Sequence, residues 1–78
     1  MQEFHIALKS FQEVREFVTL ATVQPFRVLV GNDAQQVNAK SFMGMVSLDY
    51  SQPLLVRADC DSQAMQTFRK VVSKFLKN

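Results

Sequence analysis

Few side chains in this sequence could do covalent or acid–base chemistry, and their spacing limits what they could do. There is one histidine, His5, and one cysteine, Cys60. A histidine poised for proton or phosphoryl transfer needs a placed acid or guanidinium beside it. His5 instead alternates with Phe4 and Ile6, the two-residue period of a strand with one buried face. It is therefore expected on the outer, solvated face of a sheet. Cys60 is a lone thiol with no histidine near it in sequence, poor ground for a metal ligand or a nucleophile. One histidine and two glycines cannot assemble a Ser-His-Asp order or a Gly-rich phosphate loop, and no paired catalytic carboxylates can be assembled either. The residues predict no enzyme, no metal, no cofactor and no small-molecule substrate. Two serines remain, Ser10 and Ser41, each standing before an apolar run where a hydroxyl would cap a helix.

The elements that position these residues can be read from the apolar pattern. Of 78 residues, 47% are apolar and 21% charged, ordinary globular usage that argues against disorder. A chain of this length has room for one small core, so residues 1–78 are read as a single domain. The net charge of +2 is too weak to argue for nucleic acid or a membrane surface. A single cysteine, no apolar run long enough to span a bilayer and no signal-peptide pattern together point to the cytoplasm.

Phe4, Ile6 and Leu8 open with strand alternation. Phe11, Val14, Phe17, Val18 and Ala21 then recur at helical spacing. Ser10 followed by Glu13 is the capping-box pattern, and Pro25 ends this helix near Thr22. Phe26–Val30 reads as a strand, Gly31–Ala34 as a turn, and Gln35–Ala39 as the returning strand of a hairpin. Phe42–Leu48, preceded by Ser41, reads as a short helix that is apolar nearly all round. Asp49–Pro53 is a loop and Leu54–Ala58 a fourth strand. Asp61 or Ser62 caps a last helix whose stripe runs Ala64, Met65, Phe68, Val71, Val72, Phe75 and Leu76, with Lys70, Lys74 and Lys77 on one solvated face. The order β-α-β-β-α-β-α predicts an α+β fold of two layers, an open-faced sandwich.

The segment Asn38-Ala39-Lys40-Ser41-Phe42-Met43-Gly44-Met45-Val46-Ser47-Leu48 resembles HPr, the histidine-containing phosphocarrier family of the bacterial sugar phosphotransferase system. In that family a Lys-Ser-apolar-Met-Gly-apolar-apolar-Ser-Leu segment forms the second helix, and the element order agrees over essentially the whole chain. The resemblance implies a four-stranded antiparallel sheet with three helices on one face. The family's Gly-Leu/Ile-His-x-Arg-Pro junction carries the phosphorylated histidine. Here the same junction reads Ala7-Leu8-Lys9-Ser10-Phe11-Gln12-Glu13 and is shorter, with Ser10 in place of the histidine and Gln12 in place of its arginine. A phosphoserine ester does not pass its phosphoryl group onward readily, so this is a divergent member expected not to act as a carrier.

The resemblance further implies that Ser41 is a candidate for regulatory phosphorylation by an ATP-dependent serine kinase. It also places Phe42, Met43 and Val46, with Phe11 beside them, on the surface that docks partner proteins. Those partners would be proteins of the phosphotransferase system or a carbon-catabolite transcriptional regulator, with no nucleic acid and no membrane. Residue pattern alone leaves Phe42, Met43 and Val46 open between core and contact surface, while Met45 and Leu48 are read as core. Two other functions compete with the adaptor reading: a phosphocarrier with a displaced site, and an unrelated α+β module that binds protein or nucleic acid.

Overall fold

The computed structural model describes residues 2–32 and 34–77. Strand β1 (Gln2–Ile6) leads into helix α1 (Phe11–Thr22), and β2 (Val28–Gly31) turns into β3 (Gln36–Asn38). Helix α2 (Phe42–Val46), strand β4 (Leu54–Ala58) and helix α3 (Ser62–Val71) follow, and a 3₁₀ turn spans Ser73–Phe75. The four strands form one sheet in the order β1-β4-β2-β3, antiparallel at each pairing. This is the α+β, open-sheet architecture that the element order predicts.

Alternation along the strands decides which face is covered. Phe4 and Ile6, Val28 and Val30, and Leu54, Val56 and Ala58 are buried and join one core with Val14, Phe17, Val18 and Ala21 of α1 and Met65 and Phe68 of α3. Aromatic rings lock the layers: Phe68 meets Phe4 edge-on with centroids 5.9 Å apart, and Phe17 meets Phe75 at 6.1 Å. Edge-to-face pairs of this kind add to what burial alone contributes. The opposite face carries Glu3 and His5, both exposed, with the Glu3 carboxylate 3.0 Å from Arg57 Nε on the neighbouring strand. His5 thus lies on the outer face, as its alternation predicts, and away from the helices.

Several boundaries differ from the sequence reading: β3 is confined to Gln36–Asn38, and α2 to Phe42–Val46, two residues short of Leu48. β1 ends at Ile6, although Leu8 beyond it is still buried, and β2 begins at Val28, with Phe26 packed against the core from outside the strand. The last helix stops at Val71, because Val72 leaves helical angles (φ −103°, ψ 21°) and Leu76 is extended. The apolar spacing persists through that break: Phe75 enters the core from the 3₁₀ turn, while Leu76 bridges Ile6 on β1. Consequently Lys70, Lys74 and Lys77 do not share one helical face. Lys74 pairs with Glu16 of α1, and the Lys77 N–H donates to the His5 carbonyl.

In the hairpin, Asp33 lies outside the described residues. Its neighbours are held by Asn32, whose side-chain oxygen accepts from the Ala34 and Gln35 N–H groups. Glycine is required at position 31 by close approach: an added Cβ would sit 2.0 Å from the Gln35 carbonyl oxygen.

Candidate functional site

Helices α1 and α2 pack against each other, with the start of α2 tied to the end of α1 through Lys40 and the end of α2 near the start of α1. Each start is fixed by a serine. Ser10 is extended (φ −149°, ψ 162°), and its Oγ accepts from the Glu13 N–H at 3.2 Å. The returning contact of the capping pair is shifted by one residue: Glu13 Oε1 accepts from the Lys9 N–H at 2.8 Å, where a capping box would take the Ser10 N–H. One of the unpaired donors at the helix start is thus satisfied by the hydroxyl, and the carboxylate ties the incoming chain.

Ser41 repeats the arrangement at α2, its Oγ accepting from the Gly44 N–H at 3.2 Å. Its own N–H donates to the Asn38 carbonyl at 2.9 Å, so the end of β3 sets where α2 begins. The Ser41 side chain is exposed. Lys40 beside it is already engaged: its Nζ donates at 2.6 Å to the Gln24 carbonyl, just beyond the C-terminal end of α1. That placement suits the negative end of the helix dipole and joins the end of α1 to the start of α2.

The apolar residues of α2 divide sharply. Met45 is fully buried and Leu48 nearly so, in agreement with their reading as core. Met43 is 76% exposed and Val46 38% exposed, and on α1 Phe11 is 61% exposed. Phe42 is partly buried against the core and meets Phe11 edge-on, with centroids 5.2 Å apart. Phe11 and Phe42 are therefore brought together across the two helices, and Met43 and Val46 complete an apolar surface beside the Ser41 hydroxyl. Gln12 is not part of it. That side chain is exposed on α1 with Arg15, Glu16 and Thr19, away from Ser10's cap.

One residue of the site escapes the sequence reading. Tyr50, assigned only to a loop, turns its ring inward, and its hydroxyl donates to the Met45 carbonyl. Burial pushes the phenol up to about 12. Asp49 stiffens the same loop by accepting from the Ser51 hydroxyl and N–H, which holds its carboxyl below the usual range, the hydroxyl contact counting most. A lone tyrosine following a short apolar helix is the available signal, since a ring with one polar tip favours a half-buried position.

Elsewhere the chemistry-bearing residues stand apart. Cys60 is a free thiol, pushed up first by burial and then by the neighbouring Asp61 and Asp59 charges, which leaves it a weak nucleophile. Among the described residues, no group of three or more His, Cys, Asp or Glu side chains could hold a metal ion, and no helix is long and apolar enough to cross a membrane.

Comparison with known proteins places this geometry. No family model matches the sequence, and no curated protein matches it. Among solved structures, the chain is similar to the crystal structure of HPr-C-His from Thermoanaerobacter tengcongensis, with a TM-score of 0.74 and 28% identity. The match covers 95% of this chain and 93% of that one. The sheet order, the three helices and the serine-capped second helix described above thus make up an HPr-like fold.

Proposed function

We propose that this chain is a single-domain, cytoplasmic HPr-like protein that works as a non-carrier adaptor, recognising other proteins through Phe11, Phe42, Met43 and Val46. The observation that carries this reading is the contrast between the two helix starts. At α1, where the fold's phosphocarrier histidine is expected, Ser10 caps the helix and Glu13 adds negative charge. At α2, an accessible serine is flanked by large apolar side chains left in solvent. Flexible methionine and aromatic rings at such a position suit protein contact and offer no group for turnover. His5 gives no support to a displaced phosphocarrier site: it lies on the outer sheet face beside Leu55, and the acid and guanidinium near it, Glu3 and Arg57, pair with each other.

In this reading the partners are proteins of the phosphotransferase system or a carbon-catabolite transcriptional regulator, and Ser41 is the regulatory switch. A phosphoryl group there would add roughly two negative charges beside the apolar surface. With Lys40 held by Gln24, the pairing cation has to come from the partner. The test is a two-arm phosphorylation assay. The protein is incubated with enzyme I and phosphoenolpyruvate, and separately with the serine kinase and ATP, and added phosphate is located by mass spectrometry. The expected outcome is phosphate on Ser41 in the second arm alone. Acid-labile phosphate on His5 in the first arm, at a rate comparable with an ordinary HPr, would overturn the adaptor reading.

A further inference from the structure

Between the end of β1, the start of α1 and the loop that follows α2 lies a cleft of about 580 Å³. Leu8 and Val14, both buried, form its floor, and Phe11, Val46, Tyr50 and Pro53 line it further out. Two lysines, Lys9 and Lys77, border it, and no aspartate or glutamate is among its lining side chains. The nearby Glu13 is turned to the Lys9 N–H and does not reach the cleft. Tyr50 contributes its ring only, since its hydroxyl is committed to the Met45 carbonyl.

Sites for small molecules are concavities of about 300–1,000 Å³, mainly apolar, with a few polar groups that fix orientation. A protein partner docking on Met43 and Phe11 would need no such depth. We propose that this cleft binds a small amphipathic anion, a carboxylate carrying a compact hydrocarbon tail, with the tail against Leu8, Val14 and Tyr50 and the carboxylate towards Lys9 and Lys77. The sign follows from the lining. A cation would find no counter-charge, and a neutral tail would leave both ammonium groups unused. The ligand is held and not transformed, and the proposal rests on the cleft's own lining, of which Phe11 and Val46 are shared with the recognition surface.

The test is an NMR titration of the isotope-labelled protein with octanoate, using octan-1-ol and octylammonium as matched neutral and cationic probes. Octanoate is expected to give saturable shifts at the amides of Lys9–Val14 and Tyr50–Gln52, with octanol weaker and octylammonium weakest. Lys9→Gln, Lys77→Gln and Gln52→Glu should each weaken octanoate by about two- to fivefold, the range of an exposed charge pair, and leave octanol unchanged. Gln52 lies exposed in the loop, so its substitution leaves the fold in place, which an unchanged melting midpoint verifies. The proposal is overturned by equal affinity for the three probes, by the absence of saturable shifts at the cleft, or by cleft shifts that an acidic peptide produces and octanoate does not.

Discussion

Helix α2 contains two methionines two residues apart, and truncating each to alanine separates core from contact surface in a single experiment. Met45 is fully buried and Met43 is 76% exposed. For Met45→Ala the loss combines the transfer free energy of the removed thioether chain with the void it leaves, about 2–5 kcal/mol. The void is hard to close, because Tyr50 is tied to the Met45 carbonyl and α2 is pinned at its start by Ser41 and Asn38. In a chain this short, each kcal/mol moves the melting midpoint by about 4–8 °C, so a fall on the order of 10–30 °C is expected. Met43→Ala removes a side chain already in water and should change stability by no more than about 0.5 kcal/mol. Its effect belongs to association, where losing an exposed anchor costs on the order of 1–2 kcal/mol, or about five- to thirtyfold in affinity. Thermal unfolding followed by circular dichroism gives the first pair of numbers, and titration against a partner from the phosphotransferase system gives the second. Equal destabilisation by the two truncations would refute the division of α2 into a buried and an exposed side. Unchanged partner affinity in Met43→Ala would remove that residue from the recognition surface.

Other consequences can be checked independently. Ser10→Ala removes the acceptor of the Glu13 N–H and should cost about 0.5–2 kcal/mol while leaving partner affinity intact; an unchanged unfolding midpoint refutes the capping role. Gly31→Ala drives a methyl group into the Gln35 carbonyl and should destabilise the hairpin by about 1–3 kcal/mol, with amide exchange fastest in β2 and β3. Tyr50 is the sole tyrosine and there is no tryptophan, so tyrosinate absorbance reports it alone. Its phenol rises from an ordinary 10.0 to about 12 on folding, so between those values the native state keeps a proton that the unfolded state has lost. Stability from this group is complete below pH 10 and declines as pH climbs towards 12; a titration midpoint near 10 in the folded protein contradicts the burial argument. Cys60 should react with a thiol reagent more slowly at neutral pH than a free cysteine does, since burial and two aspartates oppose its thiolate; a rate at or above that of the free amino acid refutes this.

Much of the fold is legible in the apolar pattern because one physical demand, burial of one side, fixes each element. Val14, Phe17, Val18 and Ala21 fall on one stripe, and all are buried; Phe4 and Ile6 face the core while His5 does not. The same demand misleads where two geometries satisfy it. Val72, Phe75 and Leu76 keep helical spacing, yet Phe75 reaches the core from a tighter turn and Leu76 pairs with a strand. The site is less legible for a related reason. A five-residue helix that is apolar nearly all round has no preferred side in its sequence, and only packing against α1 and β3 selects Met45 for the interior. The cleft and the anchoring of Tyr50 depend on side chains from separate segments converging, which no local periodicity encodes. Lys40 illustrates the same limit, since its partner carbonyl lies 16 residues earlier.

The backbone contacts that follow α3 bear on the edge of the sheet at β1. The outer margin of β1 would otherwise offer a row of open donors and acceptors to any passing strand. Instead, the Ala7 N–H donates to Phe75, the Lys77 N–H donates to His5, and Leu76 sits opposite Ile6. Residues 75–77 therefore cover the His5–Ala7 end of this margin, from about seventy positions away in the same chain. Loss of this closure would therefore open the outer margin of β1 along its whole length.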